Sequence, residues 1–447
     1  MSAQTAAAAA PALPSAQPAP TGPASAAQPY AVKQPSAMAD DAPPPGAALA
    51  PAADVGDDQA AVEYDLPDDW LLLSDPDISA VEVELVSQAL QQPRLSAGPM
   101  VTAFEQRFAA WLGRGHAVAV ASGTLGTWLA LKALGIGAGD EVIASAYSWH
   151  QVAHAVHLCG ATLKLADINY WTGCLDPVRA ATQITPATKA IIAGNINGHP
   201  AAWDAFRALA DERGLALIED STEAIGSVYQ GKPVGSFGDV AVFDFSQPSA
   251  LCCGEGGLVV TDNAELATEL RYLRARALGD RRSVSVGARV PFQAAMSEPT
   301  AALAAGQLAR IDDILARRSQ VEQWYLEQMQ SFEGIKPPYV AQGVDKVHWM
   351  LFMVHLGKRF TASACDQIIE DMAQEMVEVV MYCQPLHQQF FYQQLGWARG
   401  QLPLTERIAD RAIALPFHGH LQPDHVKFIV ATMKDSSLNV GAGAAIY

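Results

Sequence analysis

Between Gly98 and Gly279 short β-branched runs and longer helical periods follow one another in near-regular alternation. "HAVAVAS", "GDEVIAS", "TLKLADI", "TKAIIAGNI", "LALIEDS", "VAVFDFS" and "GGLVVTD" read as strands. "VTAFEQRFAAWLG", "GTLGTWLALKALG", "VAHAVHLCG", "AAWDAFRALADERG" and "AELATELRYLRARALG" read as helices. An isolated strand cannot bury both faces. Strands that return through helices form a mainly parallel sheet with helices on both sides, so the expected fold class is α/β. A lead-in helix capped near Ser79 precedes the alternation. Near residue 330 the pattern changes. "HWMLFMVHLG" reads as a strand, and "TASACDQIIEDMAQEM" and "DHVKFIVATMKD" as helices, which predicts a smaller C-terminal α+β domain. The expected organisation is a tail over 1–62, a large α/β domain over 63–328 and a small domain over 329–447.

The tail differs from the rest in kind. It is Ala, Pro, Ser and Gly with almost no large aliphatic side chain. It cannot bury enough apolar area to offset its ordering entropy, so it is expected to be disordered and removable up to about Asp58. It lacks the basic start and Leu-rich run of a signal peptide and the arginines of a transit peptide. The chain has no run of eighteen or more apolar residues, so no membrane span is expected. A formal charge of −18 argues against nucleic acid and for a small-molecule partner. The six cysteines show no CxxC spacing, which fits a reducing cytoplasm.

Ligands of open parallel sheets bind at the carboxyl ends of the strands. Three stretches fall there. "ASGT", Ala121 to Thr124, leaves a strand and opens a helix, and its free amides and positive helix end suit a phosphate; an ordinary N-cap reads the same way. "IEDS" puts Asp220 at a strand end, where a carboxylate can pair with a protonated ring nitrogen or cap the next turn. "FDFSQPSALCCGEGG", Phe243 to Gly257, looks like an active-site loop without a lysine, a histidine or a paired base. His150, His154 and His157 have spacings of four and three, which on a helix share one face. Such a face can hold a divalent metal, but packing histidines are the preferred reading and no metal is assigned. Cys252 and Cys253 read as small buried packing.

Taken in order, "ASGTLGTWLALKALGIGAGDEVIASAYSW", "GATLKLADIN", "IEDSTEAIGSVYQGKPVGSFGDVAVFDF", "GEGGLVVTDN", "PLHQQFFYQQLG" and "ALPFHGHLQPDHV" resemble the DegT/DnrJ/EryC1/StrS sugar aminotransferases, fold type I pyridoxal-phosphate proteins. The resemblance runs from about Pro93 to Asp435. It implies a fold type I large domain, a homodimer, a small-molecule substrate such as a nucleotide-linked keto sugar, and pyridoxal or pyridoxamine phosphate as cofactor. Gly123 and Thr124 match the family's phosphate turn. Trp149 matches the aromatic stacked on the pyridine ring, and Asp220 the carboxylate that keeps the ring nitrogen protonated.

Other positions depart from the pattern. Aligned on Phe243-x-Phe245 and Gly254-Glu255-Gly256-Gly257, the Schiff-base lysine is Ser249, which cannot form an imine. Asp244 replaces a serine near the phosphate, where a carboxylate is repulsive. Glu223 replaces the glutamine that meets the ring hydroxyl. Gln293 replaces an asparagine lent by the neighbouring subunit, and the arginine that follows it is Ala295. Ser249 and His150 are the candidate catalytic positions; His150 could supply the base that a branch of sugar dehydratases has at the lysine position. Two functions stay open. One is a transaminase or dehydratase using free or aminated cofactor. The other is a degenerate relative serving as a binding or regulatory subunit beside a lysine-bearing paralogue.

Overall fold

The computed structural model describes residues 70–96, 98–275, 291–330 and 334–440. The tail assigned to 1–62 and the last turn of the helix expected over "AELATELRYLRARALG" lie outside the described residues. The strands, in chain order, are β1 (His116–Val120), β2 (Glu141–Ser145), β3 (Thr162–Ala166), β4 (Thr188–Gly194), β5 (Ala216–Asp220), β6 (Val228–Tyr229), β7 (Lys232–Pro233), β8 (Val240–Asp244), β9 (Gly257–Thr261), β10 (Ile335–Lys336), β11 (Val344–Lys346), β12 (Phe352–Leu356), β13 (Val380–Met381) and β14 (Ala412–Leu415). Seven of them form one sheet in the order β1-β9-β8-β5-β4-β2-β3. The pairs β2/β3, β2/β4, β4/β5 and β5/β8 are parallel, while β9 runs antiparallel to both β8 and β1. All strands but β9 therefore point the same way. Their carboxyl ends carry Gly123, Trp149, Asp220 and Asp244 to a single edge, the mainly parallel α/β sheet that the alternation predicts.

The second sheet has the order β10-β12-β14-β13, with every pair antiparallel. Helices Ala362–Gln374 and Pro423–Asn439 contribute Ile368, Met372, Val426, Ile429 and Met433 to the cluster over it. Tyr325 stacks on Phe352 of β12 at 4.2 Å between ring centres. This is the fold type I architecture, a large α/β part and a smaller C-terminal α+β part. A third, three-stranded sheet runs β11-β6-β7.

Two helices come from a region where the sequence reading assigned none. Glu298–Ala309 opens on the N-cap Ser297 with Pro in its first turn, and Ile311–Met329 follows it. The first shows no apolar stripe because Ala301, Ala302, Ala304 and Ala305 are buried all round it. The second joins the two cores: Ile311 and Leu315 pack beneath the large sheet, and Val321, Tyr325 and Met329 beneath the small one. The lead-in helix Ala80–Leu90 is capped at Ser79 as expected, in a reciprocal box with Glu82. Glu82 also accepts from Gln307 Nε2 at 3.0 Å and Arg310 Nη1 at 2.8 Å, which anchors the lead-in to those two helices. No helix among the described residues is long and apolar enough to cross a membrane.

Candidate functional site

The helix Gly123–Ala133 leaves β1 through Ser122, whose Oγ accepts from Leu125 N at 3.2 Å. The first turn of a helix leaves amides without partners, and here a second one is also taken. Gly123 N donates to Asp244 Oδ2 at 2.6 Å. Asp244 Oδ1 accepts from Ser246 N at 2.7 Å and Ser246 Oγ at 2.5 Å. The approach is so close that a Cβ on Gly123 would stand 2.7 Å from Asp244 Cβ. The carboxylate, 6% exposed, thus occupies the anion position at the positive end of the helix. Thr124, next to Gly123 in the chain, is half-buried.

Asp220 ends β5, 5% exposed. Its Oδ1 accepts from Thr222 N at 3.1 Å and Thr222 Oγ1 at 2.6 Å, while Oδ2 has no hydrogen-bond partner among the described residues. Burial pushes its carboxyl up to about 6; Thr222 opposes the shift, Glu223 adds to it and His150 opposes it. Glu223, 4% exposed, is saturated. Oε1 accepts from Ser148 Oγ at 2.8 Å, Trp149 N at 2.9 Å and His150 N at 3.5 Å. Oε2 accepts from Asn197 N at 2.5 Å and from the Tyr382 hydroxyl. Its acceptors are thus committed to the loops after β2 and β4 and to the residue after β13. Sequence reasoning missed Ser148, Asn197 and Tyr382, because nothing local marks a donor recruited from across the fold.

Trp149 is half-buried, with its ring 5.9 Å from that of Tyr382. His150 is half-buried too, and its Nε2 is buried with no partner. The three histidines do not share a helical face. The helix is only His154–Leu158, so His150 lies before it; His154 packs 5.5 Å from Tyr392 and His157 packs 4.6 Å from Phe391. The expected helix over "VAHAVHLCG" is there but shorter, and the face that the spacing drew through all three histidines is corrected.

The loop from β8 to β9 is pinned at its base by Phe245 N to Gly256 O and Cys253 N to Phe245 O, both 2.9 Å. Ser249 is half-buried within it. Cys252 and Cys253 are buried free thiols, and burial raises both above the usual thiol range. Gln293 is exposed, and its segment lies along β1 of its own chain, where Ala121 N donates to Ala294 O at 2.8 Å.

A matching family description spans residues 76–434, that of the DegT/DnrJ/EryC1/StrS aminotransferase family. The chain belongs to this family. The spore coat polysaccharide biosynthesis protein SpsC of Bacillus subtilis (strain 168) is 32% identical over 378 residues, covering 82% of this chain and 97% of that relative. DesV of S. venezuelae, solved with a ketimine intermediate, is 31% identical, with a TM-score of 0.73 over 80% of this chain and 94% of that one. The apo form of Spr1654 from Streptococcus pneumoniae, a protein also solved in PMP and PLP forms, has a TM-score of 0.79 over 84% of this chain and 99% of that one. At 23% identity it shows the shared fold alone.

Set against the cofactor of the DegT/DnrJ/EryC1/StrS family, the residues at this sheet edge fit without conflict at the ring end only. Asp220 and Trp149 suit a flat ring with a protonated nitrogen. The phosphate end is partly taken. Asp244 holds the Gly123 N–H, while the Thr124 N–H and Oγ1 have no partner among the described residues. Two like charges about 4 Å apart repel by about 4 kcal/mol at an effective dielectric near 20, so a phosphate must displace or neutralise Asp244.

Proposed function

We propose that this chain is a DegT/DnrJ/EryC1/StrS protein that does not transaminate and works as a binding or regulatory subunit in amino-sugar or related biosynthesis. The observation that carries this reading is the Asp244 carboxylate on the Gly123 amide. Ser249 at the lysine position points the same way, since a hydroxyl neither forms an imine nor carries protons well near neutral pH. Glu223 adds to it, with its acceptors committed to the scaffold. Pyridoxal or pyridoxamine phosphate then binds weakly and without a covalent link. The unit is a homodimer, and its natural company is a lysine-bearing paralogue acting on a nucleotide-linked keto sugar in the cytoplasm. Purified protein is mixed with pyridoxal phosphate, reduced with borohydride and weighed by intact mass spectrometry. The expected result is an unchanged chain mass; a stoichiometric adduct on a single lysine, located by peptide mapping, overturns the reading.

One observation favours a second reading, a dehydratase working from aminated cofactor. His150 follows Trp149 directly, and its Nε2 is buried without a partner. Turnover of a keto-sugar nucleotide by protein supplied with pyridoxamine phosphate, lost in His150→Ala, would select this reading over the first.

A further inference from the structure

The turn after β3, the outermost strand of the large sheet, is tightly held and yet presents exposed aromatic rings. Asn169 N donates to Cys174 O at 2.8 Å, and Gly173 N donates to Asn169 O at 3.0 Å. Asn169 Oδ1 accepts from Trp171 N at 2.9 Å. Ile168, Cys174 and Leu175 at the ends of the turn are buried. Between them Tyr170 is half-buried and Trp171 is 57% exposed. Tyr339, 47% exposed, comes from a distant part of the chain, and its ring lies 5.8 Å from that of Trp171. Its segment is pinned too, because Ala341 N donates to Nε2 of buried His199 at 3.0 Å. One exposed apolar side chain is ordinary; a group of rings on fixed backbone is a surface for stacking. A charge goes with it. The guanidinium of half-buried Arg407 lies 4.8 Å over the Tyr170 ring, whose other neighbour is the Trp171 ring at 5.3 Å. Arg407 takes part in none of the ion pairs or hydrogen bonds found among the described residues, so its planar fork of donors is open to an anion.

We infer that this surface is a second binding site and that it takes a nucleoside phosphate, with the base stacked on Trp171 and Tyr339 and the phosphate on Arg407. Rings alone suit many apolar partners. An unpaired guanidinium one ring away from the indole selects a ligand that joins a flat ring to an anion. Stacking on a π-face does not read the edge of a base, so base plus phosphate sets the class, not one particular base. None of these residues belongs to the group around Asp220 and Asp244. The inference therefore goes beyond the reading of that group and stands or falls apart from it, since borohydride labelling reports nothing about Trp171 or Arg407.

The experiment is isothermal titration calorimetry on the full chain at low ionic strength, where a charge contact is least screened. The probes are UDP, uridine and inorganic pyrophosphate. Wild type is expected to bind UDP about tenfold or more tightly than either part alone, because ring and charge act together. Trp171→Ala and Arg407→Gln are each expected to weaken UDP about tenfold or more, with the fold of each variant checked by circular dichroism. Trp171→Phe keeps a ring at that place and is expected to retain most of the affinity, which separates stacking from damage to the turn. Wild type needs no folding control. No heat with UDP, UDP no tighter than uridine, or UDP binding left unchanged by Trp171→Ala and Arg407→Gln overturns the inference.

Discussion

The ring end and the phosphate end of the pocket each place a buried aspartate at the carboxyl end of a strand, Asp220 on β5 and Asp244 on the adjacent β8. At the ring end one oxygen caps the turn at Thr222 and the other is left open. At the phosphate end both oxygens have donors, one of them the helix amide that an incoming anion would need. Position in the sheet decides where a carboxylate stands; the donors around it decide whether it receives a ligand or replaces one. The first aspartate is a vacant acceptor and the second is a built-in anion.

The largest expected effect tests what supports the ring end. Glu223→Ala removes the shared acceptor of Ser148, Trp149, Asn197 and Tyr382, and it should cost about 3–5 kcal/mol in denaturant unfolding, the range for breaking a buried charged network. A loss under about 1 kcal/mol would mean that the ring end stands without this hub.

Next in size is the pH dependence of Asp220. Its folded-state value, raised to about 6 from the ordinary 3.8, means that the folded chain holds this proton longer than the unfolded one. Its contribution is therefore fully present below the unfolded value and is lost as pH rises through about 6. A shift of roughly two units corresponds to about 2–3 kcal/mol. Buried His199, His348 and His418 and half-buried His355, each pushed down to about 4, act in the opposite direction, and they cancel in a comparison with Asp220→Asn. The variant should gain on wild type by about that amount between about pH 4 and about pH 7. A constant difference across the range would place Asp220 in a solvated setting.

The sequence carried the scaffold and both aspartates but not their surroundings. The strands, the Ser79 cap and the strand-end places of Asp220 and Asp244 follow from local periodicity and from where parallel strands end. The helix Glu298–Ala309 was hidden because small residues buried all round leave no stripe, although the Ser297-Glu298-Pro299 start could have marked it. His150 was misjudged through helical spacing that the chain adopts only from His154 onward. The saturation of Glu223 was out of reach, since Tyr382 lies 159 residues along the chain and only tertiary packing brings it there. Repulsion of a phosphate by Asp244 was legible from charge; its seat on the Gly123 amide required the backbone.

The phosphate end yields the smaller effects. Asp244→Ser removes the acceptor of Gly123 N, Ser246 N and Ser246 Oγ, and it should cost about 1–3 kcal/mol of stability in denaturant unfolding. A neutral or stabilising change would show that the carboxylate is not held there. Smallest of all is Ser249→Lys. It should shift stability by about 0.5 kcal/mol or less and leave the glutamate half-reaction, followed by absorbance, near background, because Asp244 still fills the anion position. Brisk conversion by this single variant would show that the rest of the site is intact.

The occupied anion position is tested most directly with inorganic phosphate and no ring at all. Melting temperatures of wild type and Asp244→Ser are compared as phosphate replaces chloride at constant ionic strength. A ligand that binds only the folded state raises the melting temperature by mass action. Wild type should show no phosphate-specific rise and Asp244→Ser a clear one. An equal rise in both proteins would contradict the claim that Asp244 fills the cradle.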